Sequence, residues 1–230
     1  MLNFDGYAPA VLDGALLTIE VALASLVMAT LLGILGALGK LSRKPLPRRL
    51  AAGYTTLIRS IPDLVLMLLI YFGGQAVVNQ AAYAVGYEDY IEISPFVAGV
   101  GTIGFIFGAY LAETFRGAIL AVPPGQLEAG YAYGMSAFQV FRRILFPQMM
   151  RHALPGFGNN WLVLLKTTAL VSVIGLDDMV RKASLAAGAT QKPFTFYLLV
   201  AGVFLAFTTL STLLLQWAER RYSPELKRSL

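Results

Sequence analysis

The stretch Glu128–Pro147, EAGYAYGMSAFQVFRRILFP, lies between two strongly apolar runs, yet it is amphipathic and mostly polar or small. Pro123, Pro124 and Gly125 stand just before it and break any helix arriving from the N-terminal side. Met135, Phe138, Phe141 and Leu145 recur at helical spacing, Gln139, Arg142 and Arg143 take other positions, and Pro147 is expected to close the short helix. Gly134 permits a turn or a close backbone approach. The pattern predicts a helix–turn–helix elbow at the edge of a membrane, with one apolar face for a partner to grip. An amphipathic connector lying on the membrane surface is the plainer reading of the same residues.

The membrane follows from composition. Of 230 residues, 57% are hydrophobic and only 13% charged, about half the charge of an ordinary soluble domain. Cysteine is absent and there is one histidine, His152, which excludes disulfides, a thiolate nucleophile and a His-based metal cluster. The net charge of +5 does not point to nucleic acid, because the basic residues sit beside apolar runs. The first apolar run is too long for a cleavable signal peptide, and Asp5 and Asp13 stand where such a peptide carries bases.

The chain reads as a single transmembrane domain, 1–230, all-α, with five spans at about 12–38, 54–78, 95–119, 154–176 and 194–218 and the elbow at 123–150. Lys and Arg in the connectors give the orientation. Lys40, Arg43, Lys44, Arg48 and Arg49 follow span one, and no acid is among them. Glu88, Asp89 and Glu92 follow span two without a base. Arg116, Arg142, Arg143 and Arg151 surround the elbow, and Arg220, Arg221, Lys227 and Arg228 follow span five. The N-terminus is therefore expected outside, with the elbow and C-terminus in the cytoplasm. The mixed connector 177–192 is placed outside by the span count and reads as a short helix across the outer surface. Trp217, Tyr222 and Trp161 suit interfacial anchors.

Small residues mark two spans. Ala29, Gly33, Gly36 and Ala37 in span one, and Gly101, Gly104 and Gly108 in span three, let helices approach closely and suit a packed bundle with close subunit contact.

Ionisable groups inside a bilayer are expensive, so each needs a reason. Glu20 and Lys166 approach the centre from opposite sides. Either they pair, or they line a polar path in which Glu20 attracts a cation and Lys166 a carboxylate. Asp63 follows Pro62, and either belongs to a kinked gate or pairs with Arg59 at i,i+4. Glu113 and Arg116 read as a local pair. Asn159, Asn160, Thr167, Thr168 and Ser172 give span four a polar stripe near Lys166, and Asn160 and Thr168 join the candidate path. No HExxH, Gly-x-Ser-x-Gly or Gly-x-x-x-x-Gly-Lys-Ser/Thr occurs, so an ATPase would have to be another chain.

Glu128, Ala129, Gly134, Ile144 and Pro147 together resemble the coupling loop of ABC importer permeases, with Gly130 where Ala is usual and Phe146 where Leu is usual. The segment Thr55–Leu64, the run Gly108–Gly117, and Pro155–Trp161 with Lys166–Ser172 resemble the polar amino-acid branch of that family, and within it the Q-type permeases of histidine/lysine/arginine/ornithine importers. The resemblance implies a type I importer fold and transport of basic amino acids across a bacterial inner membrane. It implies pairing with a sister permease as a heterodimer, two ATPase subunits that hold ATP and Mg, and a periplasmic binding protein. This chain would hold no cofactor and do no covalent chemistry. The elbow would couple ATP binding to alternating access. A stand-alone secondary transporter or channel for a small polar solute is the alternative, but it has no use for such an elbow.

Overall fold

The structure, a computed structural model, describes residues 6–222. Asp5, Lys227, Arg228 and the Tyr222 side chain lie outside that description. Regular structure among the described residues is helical: α1 (Ala8–Leu41), α2 (Pro45–Ser60), α3 (Asp63–Ala84), α4 (Pro95–Leu120), α5 (Pro124–Ala132), α6 (Ala137–Val140), α7 (Phe146–Thr167), α8 (Met179–Thr190) and α9 (Pro193–Tyr222). A π-turn, Phe141–Leu145, joins α6 to α7, and a 3₁₀ turn, Thr168–Ile174, extends α7. Five segments are long and apolar enough to cross a membrane: Ala8–Leu41, Asp63–Ala84, Pro95–Leu120, Ala137–Ile174 and Pro193–Arg221.

The core is the pair α1 and α4, flanked by α2, α3 and α7. The two small-residue faces meet each other, so the close contact expected between subunits is made within the chain. A Cβ on Gly33 would lie 2.7 Å from Leu111 Cβ, and one on Gly108 would lie 2.7 Å from Leu32 Cβ. Only glycine lets the two backbones come this near.

The second expected span, 54–78, is cut in two. Pro62 forces the residue before it out of the helical region, and Ile61 is extended (φ −109°, ψ 138°), so α2 stops at Ser60. The apolar helix begins only at Asp63 and runs to Ala84. Residues 54–60 belong instead to α2, which carries Arg48, Arg49 and Arg59 and packs on α1 and α4.

Two amides one turn apart on α3 pin the following loop. Asn79 accepts the Ile91 N–H at 2.8 Å and donates to the Ile91 carbonyl, while Gln75 accepts the Ile93 N–H at 2.8 Å and also donates to the Ile91 carbonyl. Both side chains are buried, so each satisfies backbone groups that water would otherwise have to reach.

The expected connector helix is α8, and it does not lie free on a surface. It is wedged between α1 and α9 through Met179, Ala183, Ala186 and Ala187, against Val11 and Phe196. Asp178 caps it: Oδ1 accepts the Arg181 N–H at 3.0 Å. The side chain is fully buried, and Oδ2 has no partner among the described residues. Burial pushes this carboxyl up to about 6, although backbone N–H groups pull the other way. The folded state thus holds a proton that the unfolded state has released between about pH 4 and pH 6. Stability is lost as pH rises through that window and is level above it. Asp178→Asn retains the capping acceptor and removes the charge. Its thermal midpoint in detergent is expected to match wild type near pH 4 and exceed it at pH 7.5. A less stable variant at pH 7.5 would contradict the assignment.

Candidate functional site

The elbow forms as a turn between two helical arms. α5 ends at Ala132, and Gly134 takes φ +78°, a conformation open to glycine at little cost. The turn closes with Gly134 N–H to the Tyr131 carbonyl at 2.9 Å and Met135 N–H to the Gly130 carbonyl at 3.1 Å. A reciprocal cap starts the second arm: Gln139 N–H donates to Ser136 Oγ at 3.4 Å, and Ser136 N–H to Gln139 Oε1 at 2.9 Å. The Ser-x-x-Gln pattern was the sequence signal for this start.

Pro147 was expected to close that helix and does not. Helix continues from Ala137 to Ile174. The π-turn makes this possible: Phe146 N–H reaches back to the Phe141 carbonyl, one residue further than in an α-helix. The wider turn accommodates a ring that has no N–H to donate and would clash with a regular preceding turn.

Gly130 is the contact between the arms. A Cβ there would lie 2.6 Å from Ile144 Cδ1 and 3.1 Å from Val140 Cγ2. Gln126 and Gln148 bridge the same arms by a side-chain hydrogen bond. Ile144 therefore faces inward and locks the elbow, whereas Glu128, Ala129 and Gly134 are exposed. Tyr133 is 88% exposed and Phe138 68%. The expected apolar face divides: Phe138 points out, while Phe141 and Leu145 line a cavity of about 610 Å³ against α1.

The charged groups are rearranged relative to expectation. Glu113 pairs with Lys40 and, at 3.6 Å, with Arg116, so the local pair is part of a knot between α1 and α4. Lys40 also donates to Thr55 Oγ1 at 2.9 Å, which brings in α2. Glu20 and Lys166 make no ion pair with each other or with any other described residue, and both are exposed. Asn160 donates to Thr114 Oγ1 at 3.0 Å and to the Gly156 carbonyl at 2.8 Å. Thr168 is fully buried and bonds the Leu165 carbonyl at 2.7 Å, within its own helix. Thr167 and Ser172 likewise bond carbonyls one turn back, so their hydroxyls are satisfied locally. Trp161, expected at an interface, packs half-buried against the main core.

Asp63 and Arg59 form no ion pair among the described residues, because the break at Ile61 and Pro62 destroys the i,i+4 geometry. Arg59 instead lies over the Tyr110 ring, 5.3 Å from its centroid. This pair borders an open polar cavity of about 320 Å³, completed by Thr55, Thr56, Ser60 and Glu113. Sequence reasoning named Arg59 only as a partner for Asp63 and did not link it to Tyr110, 51 positions away with no shared local pattern.

Five membrane-length helices, a projecting elbow and an open polar cavity fit a transport permease. The comparisons make this specific. The profile of the family described as "Binding-protein-dependent transport system inner membrane component" matches residues 29–224, and the chain belongs to that family. It is 52% identical to the histidine/lysine/arginine/ornithine transport system permease protein HisQ of Escherichia coli over 97% of this chain and 98% of the relative. It is 41% identical to the octopine transport system permease protein OccQ of Rhizobium radiobacter, over 98% of this chain and 95% of that one. The arginine ABC transporter permease protein ArtQ of Haemophilus influenzae is 38% identical over 96% of each chain. Among solved structures, one described as an amino acid ABC transporter with histidines aligns with a TM-score of 0.78 at 33% identity, covering 94% of this chain and 95% of that chain. The methionine transporter MetNI shares the fold at 16% identity, with a TM-score of 0.66 over 93% of this chain and 94% of that chain. The chain is thus a type I ABC importer permease. It is non-catalytic itself and works with ATPase and binding-protein partners.

Proposed function

We propose that this chain is one permease half of an importer that moves basic amino acids across the bacterial inner membrane, and that Glu128, Ala129, Gly134, Ile144 and Pro147 build the part that docks on the ATPase. The observation that carries the coupling role is the construction of the elbow. Ile144 and Gly130 lock two arms together, while Glu128, Tyr133 and Phe138 stay uncovered. A surface connector has no need of that lock. ATP and Mg are held by the ATPase subunits. The basic connectors put the elbow and the C-terminus in the cytoplasm and the N-terminus in the periplasm.

The substrate class rests on the named relatives, which are transport permeases for histidine, lysine, arginine, ornithine or octopine. The permease partner is a sister chain, not a second copy. Glu20 and Lys166 face outward from the single chain without ion-pair partners and are candidates for that interface or for the path it encloses. Asp63 opens α3 directly after the break that ends α2 and stays a candidate for the path. Thr168 acts on the path only through packing, because its hydroxyl is already bonded, and the Asn160 amide nitrogen is likewise taken.

The test is uptake. This chain, its sister permease, the ATPase and the binding protein are reconstituted in proteoliposomes with ATP inside and labelled arginine outside. Unlabelled lysine and histidine are expected to suppress ATP-dependent uptake, and glutamate is not. Uptake that is independent of ATP and of the binding protein would favour the secondary-transporter reading.

A further inference from the structure

The cavity between the elbow and α1 is apolar throughout. Its walls include Thr30 and Leu41 of α1, Phe115 of α4, Phe141 and Leu145 of the π-turn and Phe157 of α7, and it holds about 610 Å³. Thr30 is the one hydroxyl-bearing residue among the described lining, and its hydroxyl donates to the Leu26 carbonyl at 2.7 Å. The walls therefore offer water no free donor, and a roomy apolar cavity of this kind stays dry or takes an apolar guest. Along α1 the lining runs about 16 Å, roughly half of a bilayer's hydrocarbon core, which is the depth of one leaflet.

One end of the cavity is basic. α1 and α4 run in parallel, since Gly104 meets Met28 and Gly33 meets Leu111, so the end of α1 and the elbow that follows α4 lie at the same edge. Arg43 stands just beyond Leu41 there, and Arg142 and Arg143 follow Phe141 in the π-turn. All three are exposed and make no ion pair among the described residues. No Asp or Glu occurs in 42–62 or in 129–176, and Glu113 is already held by Lys40 and Arg116.

We propose that this cavity holds one acyl chain of an anionic phospholipid, with the lipid phosphate at Arg43, Arg142 and Arg143. An apolar cavity alone would take any lipid. The unpaired bases at its mouth select an anionic headgroup, as basic pockets between membrane helices do. The chain then fills the space between the second arm of the elbow and α1. The inference goes beyond the importer reading and takes from it only that the protein spans a membrane.

The test is photolabelling of the complete importer complex in phosphatidylcholine nanodiscs. Two probes carry the same diazirine-bearing acyl chain, one on phosphatidylglycerol and one on phosphatidylcholine, and labelled peptides are mapped by mass spectrometry. Label on 30–41 and 141–157 is expected to be about tenfold or more higher with the phosphatidylglycerol probe. Arg43→Gln combined with Arg142→Gln and Arg143→Gln is expected to erase most of that preference. Ile34→Trp, which puts a larger side chain on the cavity wall, is expected to lower cavity label from both probes relative to label elsewhere on the chain. Equal labelling of the wild-type cavity by the two probes, or a triple variant that keeps the preference, would overturn the proposal. So would a cavity that takes no label in the complete complex, which would mean that a protein segment covers it. ATP hydrolysis stimulated by loaded binding protein is measured in the same nanodiscs. Stimulation without selective labelling leaves the importer reading standing and sinks the lipid site. A wild type without stimulation sinks the importer reading, and the labelling still decides the lipid site by itself.

Discussion

Lys40→Met is expected to lower the unfolding free energy by about 2–4 kcal/mol. The Lys40 side chain is only 16% exposed and Glu113 24%, so neither is well solvated. Removing the ammonium leaves the carboxylate with Arg116 at 3.6 Å as its remaining ion-pair partner. It also removes the donor to Thr55 Oγ1, which lies in a fully packed position on α2. The loss therefore comes from a poorly solvated carboxylate left with only its more distant partner, not from the attraction of the pair. Lys40→Met combined with Glu113→Leu is expected to recover most of the stability, because two apolar groups replace two desolvated charges. Denaturant or thermal unfolding of the purified complex in detergent gives the answer. A single variant as stable as wild type, or a double variant no better than the single, would show that the knot between α1, α2 and α4 is not needed.

Gly130→Phe is expected to reduce binding-protein-stimulated ATP hydrolysis about tenfold or more, while the permease pair still assembles in the membrane. The Cβ position is already filled by Ile144 Cδ1 at 2.6 Å, with Val140 Cγ2 at 3.1 Å. Gly130→Ala needs only the far end of one flexible side chain to swing aside, so its activity is expected to stay near wild type. A phenyl ring has no such escape and pries α5 from the second arm. Overpacking of this kind costs about 1–3 kcal/mol, enough to shift a docking geometry by roughly tenfold or more. The contrast between Ala and Phe at one position separates loss of space from loss of a glycine. Equal activity for both variants would mean that the contact between the arms is irrelevant to coupling.

Much of this was legible from the residues, in places where local physics is strong. Length and apolarity marked the helices, and Pro123, Pro124, Gly125 and Gly134 marked the elbow. Two prolines were misplaced in the reading. Pro62 was taken as a kink inside a span, yet its effect on Ile61 ends α2 outright. Pro147 was taken as a stop, yet a π-turn carries the helix through it. Such a turn leaves no mark in apolar periodicity. Other features were hidden because they depend on distance in the fold. Lys40 and Glu113 are 73 positions apart, and nothing near either residue announces the other. Lys40 had a sufficient local explanation as an orienting charge. Gln75 and Asn79, one turn apart in an apolar helix, were a visible signal of a pinned loop that went unused. Glu20 and Lys166 were weighed as a pair, and the fold of the single chain leaves them apart.

The central claim is that the elbow couples an ATPase to transport, and charge reversal at its exposed acid tests that most directly. Wild type and Glu128→Arg are each assembled with the sister permease and ATPase in proteoliposomes, and ATP hydrolysis is measured with and without arginine-loaded binding protein. Loaded binding protein is expected to stimulate the wild-type complex. Glu128→Arg is expected to remove that stimulation while the permease pair still assembles in the membrane. Unchanged stimulation in Glu128→Arg, or an ATPase that never copurifies with the wild-type chain, would contradict the account and leave the elbow as a surface connector.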